Sequence, residues 1–168
     1  MIDPIAVELA RQALELAREK GLMIATAESC TGGLVAMLLT ETAGASDVFE
    51  RGFVTYSNRA KQETLGVPFD LIERHGAVSE EVARAMAEGA LMRSAAQVAV
   101  AITGVAGPGG GTDAKPVGLV HIAARKFDGA ALHREFRFGH KSRSDIRSDS
   151  ARAALSMLND LMGGSAFA

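Results

Sequence analysis

The chain is poor in the residues that build covalent or metal-held scaffolds. Its one cysteine, Cys30, has no partner for an internal disulfide, which fits a reducing, cytoplasmic setting. His75, His121, His133 and His140 are scattered and show no metal-ligand spacing with that cysteine, so neither a metal nor another cofactor is expected. No apolar run approaches the roughly 20 residues needed to span a bilayer. The opening Met1-Ile2-Asp3-Pro4 has neither the basic stretch nor the apolar core of a secretion leader. Charge of one sign is also lacking: 18 basic residues stand against 20 acidic ones, a net charge of -2. Such a chain has no general electrostatic pull toward nucleic acid or anionic lipid, and neither is an expected partner.

What is present reads as one globular domain over residues 1–168. The 48% hydrophobic and 23% charged content supports a sizeable core, and no linker or repeat interrupts it. Asp3 and Pro4 open a helix carrying Ile5, Leu9, Ala13, Leu16 and Ala17 at helical spacing, and Gly21 ends it. Leu22 to Ala27 reads as a buried strand, and Leu34 to Thr40 as a helix. Asp47 to Tyr56 is strand-like, and Asn58 caps a short helix ending at Gly66. Pro68 to Arg74 predicts another short helix. Ser79 with Glu80 and Glu81 starts a longer one, with Val82, Met86, Ala90 and Leu91 facing the core.

Gln97 to Ile102 is a second buried strand, and Val117 to Ala124 with Ala131 to Phe138 predicts a hairpin around Asp128-Gly129. A last helix, Ser144 to Met162, would bury Ile146, Ala153, Met157 and Leu161, and the tail from Gly163 to Ala168 is expected to fray. Early alternation of strand and helix followed by a hairpin predicts an α/β fold: a mixed, mostly parallel sheet with helices on both faces.

In such sheets ligands collect where strands end and helices begin. Ala27-Glu28-Ser29-Cys30-Thr31-Gly32-Gly33 is one such turn. A hydroxyl there could attack a carbonyl while backbone amides of Thr31 to Gly33, with Gly104, meet the oxyanion; equally, Ser29 or Thr31 could simply cap the next helix. Thr103 to Gly111 packs five glycines and a proline into nine residues, either a ligand cradle or a flexible surface loop, and it is no P-loop. Tyr56, the only tyrosine, closes a strand at the same edge, and Lys61 sits one turn into the next helix, where a desolvated amine could serve as a base. Otherwise Lys61 is a solvated helix residue. Arg143 and Arg147, four apart, share a helix face and could clamp a phosphate or carboxylate, or remain a basic surface. Cys30 is either a rival nucleophile or inert filler.

Taken together, the Ala27–Gly33 turn, Tyr56-Ser57-Asn58 with Lys61, Gly76–Ala83, Ala101–Pro108 and the arginine pair resemble the CinA C-terminal domain family over roughly residues 4 to 162. The resemblance implies a three-layer α/β/α sandwich on a five-stranded sheet. It implies nicotinamide mononucleotide deamidation, with Ser29 as nucleophile, Lys61 as base and Tyr56 nearby to pass or orient the proton. By the same likeness Cys30, Thr31, Gly32, Gly33, Asn58, Thr103, Gly104, Gly107, Arg143 and Arg147 would bind the nucleotide substrate. A homo-oligomer, a dimer first of all, is expected. Longer relatives carry a further N-terminal domain with pyrophosphatase activity. A nucleotide-binding regulatory domain without catalysis and a metal-dependent nucleotide pyrophosphatase are the alternative readings.

Overall fold

The protein is described by a computed structural model over residues 2–163; the rest of the expected frayed tail, residues 164–168, lies outside the described residues. The chain runs α1 (Pro4–Glu19), β1 (Ile24–Glu28), α2 (Leu34–Thr40), a short 3-10 turn (Ala45–Asp47), β2 (Phe49–Val54), α3 (Asn58–Leu65), α4 (Phe69–His75), α5 (Glu80–Met92), β3 (Val98–Gly104), β4 (Leu119–Lys126), β5 (Ala131–Arg137) and α6 (Arg143–Leu161). The five strands form one sheet in the order β2-β1-β3-β4-β5. Strand β1 pairs in parallel with β2 and β3, while β4 runs antiparallel to both β3 and β5. Four strands therefore point one way and β4 alone opposes them.

The central strands β1 and β3 alternate larger residues with alanine, and that alternation sorts the two faces. Ile24, Val98, Val100, Ile102, Val120 and Ile122 point into a large core shared with α1, α2 and α6. Ala25, Ala27, Ala99, Ala101 and Ala123 face the other way, into a second core with Val82, Met86, Ala87 and Ala90 of α5. A floor of alanines lets α5 lie close to the sheet, because successive strand residues point to opposite faces and the small ones leave room. Helices α3 and α4 then pack on α5, completing a three-layer α/β/α sandwich.

Helices α3 and α5 approach each other closely at Gly89. A Cβ added there would lie 2.0 Å from the carbonyl oxygen of Leu65. Neither backbone can yield without separating α3 from α5, so overpacking of this kind should be costly. Gly89→Ala is expected to lose about 3 kcal/mol of stability, a fall of roughly 10 °C in Tm by thermal melting. A melt within 2 °C of the parent would show that the α3–α5 contact is not this tight.

Local differences from the sequence expectations have plain causes. Ile5 is 55% exposed, whereas Ala6, Leu9, Ala10, Ala13, Leu14 and Ala17 make the buried stripe of α1, so its alanines pack more than its hydropathy suggests. Ala153 and Leu161 are half-buried, and Ala151, Ala154, Leu155 and Leu158 join Ile146 and Met157 in the core. Ser57, not Asn58, caps α3, its hydroxyl accepting from the Ala60 amide at 3.0 Å. Among the described residues no helix is long and apolar enough to cross a membrane.

Candidate active site

The topology opens a crevice at one edge. The chain leaves β1 toward β2 on one side, and leaves β3 toward β4 on the other. Their C-terminal ends are neighbours whose continuations diverge, the arrangement in which open α/β sheets bind ligands. The strand ends are tied by hydrogen bonds that extend the ladders: the Ser29 amide donates to Ile102 O at 3.0 Å and the Thr55 amide to Glu28 O at 2.9 Å. Ser29, Thr55 and Thr103 are thereby held at one rim.

Lys61 enters from α3. Its ammonium Nζ donates to Ser29 Oγ at 2.9 Å and to the Thr55 carbonyl at 2.9 Å, across 32 residues of sequence in the first case. Lys61 is 1% exposed and Ser29 8%. Burial pulls the amine from its usual 10.5 down to about 8. Relative to an exposed lysine, that raises the neutral fraction at pH 7 roughly 300-fold, to about a tenth of the molecules. In the neutral form the lone pair can accept the Ser29 O–H proton while an N–H still donates to Thr55 O. The neighbouring Cys30 goes the other way: burial pushes its thiol up to about 11, so it stays protonated at neutral pH and is a poor nucleophile.

The Ser29–Lys61 pair lies in a cleft of about 310 Å³. Of the residues expected to form the site, Ser29, Lys61, Tyr56, Cys30, Asn58, Thr103, Gly104, Gly107 and Arg143 line it. Thr103 is fixed by a 2.8 Å bond from its hydroxyl to the Ala77 carbonyl. Arg143 spans the mouth, donating to Gly107 O at 2.7 Å and to the Tyr56 hydroxyl at 2.8 Å. Tyr56 is 62% exposed, and its hydroxyl is held by Arg143, not by Ser29 or Lys61.

Thr31, Gly32, Gly33 and Arg147 were expected at the ligand and do not line the cleft. Arg147 is occupied by the turn itself, with Nε on Cys30 O at 3.2 Å and Nη2 on Thr31 O at 2.8 Å. The Gly32 amide is bonded to Ser29 O at 3.0 Å, which removes it as an oxyanion donor. Nor is the start of α2 free. The fully buried Glu28 side chain takes the Val35 amide at 2.9 Å and the Ala36 amide at 3.0 Å, so an internal acceptor already fills that helix end. Sequence reasoning also passed over Ala77 and Val78, which line the cleft, and over the Thr55 carbonyl. Backbone groups leave no signal in side-chain patterns, though the Gly76-Ala77-Val78-Ser79 stretch had marked the neighbourhood.

The molecule is thus a three-layer α/β domain with a buried serine–lysine pair at its switch-point crevice. The chain belongs to the CinA C-terminal domain family, which it matches over residues 6–162. It is similar to a CinA-like protein of Akkermansia muciniphila, 49% identical over 95% of this chain and 38% of that one. It is likewise similar to a CinA-like protein of a Mycobacterium species, 55% identical over 82% of this chain and 32% of that one. The chain therefore spans about a third of the length of these curated relatives. Solved structures match over nearly their full length. A competence/damage inducible protein from Agrobacterium tumefaciens is 52% identical, with a TM-score of 0.94 over 96% of this chain and 98% of that one. A competence-damaged protein (CinA) superfamily protein from Escherichia coli is 35% identical, with a TM-score of 0.83 over 91% of this chain and 90% of that one.

Proposed function

We propose that this domain is an amidohydrolase that converts the carboxamide of nicotinamide mononucleotide to the acid and releases ammonia. The observation that carries the reading is the 2.9 Å approach of a buried, pKa-lowered Lys61 amine to the Ser29 hydroxyl on the floor of a cleft. Nucleophile and base within hydrogen-bond reach, in a desolvated setting, is the arrangement that covalent hydrolysis needs. The choice of a pyridine nucleotide rests on the family resemblance. The cleft volume, at the lower end for small-molecule sites, is compatible with a mononucleotide.

In this scheme neutral Lys61 takes the Ser29 proton as Oγ forms a bond to the carboxamide carbon. The lysine ammonium returns that proton to the departing nitrogen, the C–N bond breaks and ammonia leaves. Lys61, neutral again, then deprotonates a water that attacks the acyl-serine, giving the pyridine carboxylate and restoring the Ser29 hydroxyl. Arg143 at the mouth, with the Gly107 loop it holds, is the group placed to meet the 5′-phosphate.

An ammonia-release assay over amide-bearing nucleotides, run with and without chelator, tests the reading. Nicotinamide mononucleotide is expected to be hydrolysed equally in both, and nicotinamide riboside at least about 10-fold less efficiently in kcat/KM, since it lacks the anion for Arg143. Equal values for the two would remove the phosphate clamp, and no ammonia from any of them would remove the amidase.

A further inference from the structure

Resting on that hydrolytic reading, the hydrogen bonds of the nucleophile turn assign one more part. Ser29, Gly32 and Leu34 each donate their amide within the protein: Ser29 to Ile102 O, Gly32 to Ser29 O and Leu34 to Thr31 O. Val35 and Ala36 donate to Glu28. The amides of Cys30, Thr31 and Gly33 donate to no carbonyl or carboxylate among the described residues. Of the three, only Cys30 lines the cleft among the described residues.

The direction of these amides follows from their peptide planes. Among the described residues the only cis peptide is Gly107-Pro108, so every peptide of this turn is trans. In a trans peptide the N–H points opposite to the C=O of the same plane. The Ser29 carbonyl is turned toward the Gly32 amide, and Gly32 does not line the cleft, so the Cys30 N–H in that plane points away from Gly32. The next two carbonyls, of Cys30 and Thr31, are both held by the guanidinium of Arg147. Arg147 comes from α6, 117 residues downstream of Cys30, and its side chain makes no other hydrogen bond among the described residues. Its planar fork fits two adjacent carbonyls in a way that a lysine cannot.

We infer that the Cys30 backbone N–H is the oxyanion donor for the reaction at Ser29, and that Arg147 is its positioning residue, locking the peptide planes of the turn rather than touching substrate. Glu28 supports the same assignment: by filling the start of α2 it removes that helix as a competing oxyanion site, leaving the amide next to the nucleophile.

The test uses Arg147→Ala, Arg147→Lys and the parent, with two readouts. One is steady-state ammonia release from nicotinamide mononucleotide. The other is acylation of Ser29 by p-nitrophenyl acetate, followed by mass, which does not depend on the natural substrate. Arg147→Ala and Arg147→Lys are both expected to lose about 10- to 1,000-fold in kcat, the range for a misplaced oxyanion donor, with KM changed less than about 3-fold. Both should acylate correspondingly slowly. Millimolar guanidinium should restore part of the Arg147→Ala rate and nothing to the parent, a response that general destabilisation would not produce. If Arg147→Ala melts below the assay temperature, Arg147→Lys, which keeps the charge and stem, carries the comparison.

Unchanged kcat and unchanged acylation in a folded variant would overturn the inference while leaving the amidase intact. So would a rise in KM with kcat retained, since that marks a substrate ligand. A parent that is acylated at Ser29 but releases no ammonia would sink the substrate assignment alone, and acylation slowed in both variants would still uphold the role of Arg147. A parent acylated by neither compound would take down both readings.

Discussion

Ser29→Ala and Lys61→Met should each slow ammonia release by about 10³-fold or more, and the double variant should be little worse than either single one. In the proposed mechanism the two groups act as a unit, joined by one 2.9 Å hydrogen bond, so removing either end removes the function of both. The parent carries a further signature. Lys61 must be neutral to accept the serine proton, and burial places its midpoint at about 8. The rate should therefore climb from pH 6 to pH 8 and level off near pH 9 in kcat/KM. An exposed lysine would still be climbing at pH 10. A profile flat between pH 6 and 9 would mean that some other group takes the proton. Retention of even a tenth of the parental rate in Lys61→Met would end the serine–lysine mechanism.

The same lysine should leave its mark on stability, where the sign can be worked out. Its pKa in the folded protein, about 8, lies below the ordinary 10.5. Between these values the unfolded chain binds more protons than the folded one, so stability rises with pH across that window. The cost of burying the amine, about 3 kcal/mol, is present in full below pH 8 and is gone above pH 10.5. Lys61→Met has no such group. The advantage of the methionine variant over the parent in urea unfolding should therefore shrink by about 3 kcal/mol between pH 7.5 and pH 10.5. Parallel stability curves for the two proteins would show that Lys61 titrates alike in folded and unfolded chains, and so is not desolvated as its position indicates. The two experiments bear on one proposal, that burial makes the Lys61 amine a base at a cost in stability.

Much of the architecture was legible in the chain because it rests on local patterns. Helix α2 was expected at Leu34 to Thr40 and is found there. Asp3 and Ser79 cap the helices they were expected to open, and the Asp128-Gly129 hairpin joins β4 to β5. The site was legible in part. Residues at strand ends could be placed on one edge, which brought Ser29, Tyr56 and Thr103 together. Arg147 could not be assigned in the same way. Its spacing from Arg143 puts both on one helix face, but which acceptors each meets depends on how α6 lies across the turn after β1. Arg143 reaches the cleft mouth and Arg147, one turn further, reaches the Cys30 and Thr31 carbonyls next to Ser29. The glycines of the turn misled for a related reason. Gly32 at φ +60 and Gly33 at φ +99 permit the chain reversal into α2, and that conformational need says nothing about a ligand.

The alternation of large and small apolar residues along β1 and β3, the caps and the turn residues are properties of neighbours in sequence, and by themselves they determined a helix-covered mixed sheet with its polar turns at one rim. The burial of Lys61 and the acceptors of Arg147 were decided only in the tertiary structure. Desolvation of an amine and the choice of a hydrogen-bond acceptor depend on groups 32 and 117 residues away. No local pattern encodes a distance that long; packing of α3, α5 and α6 against the sheet sets it.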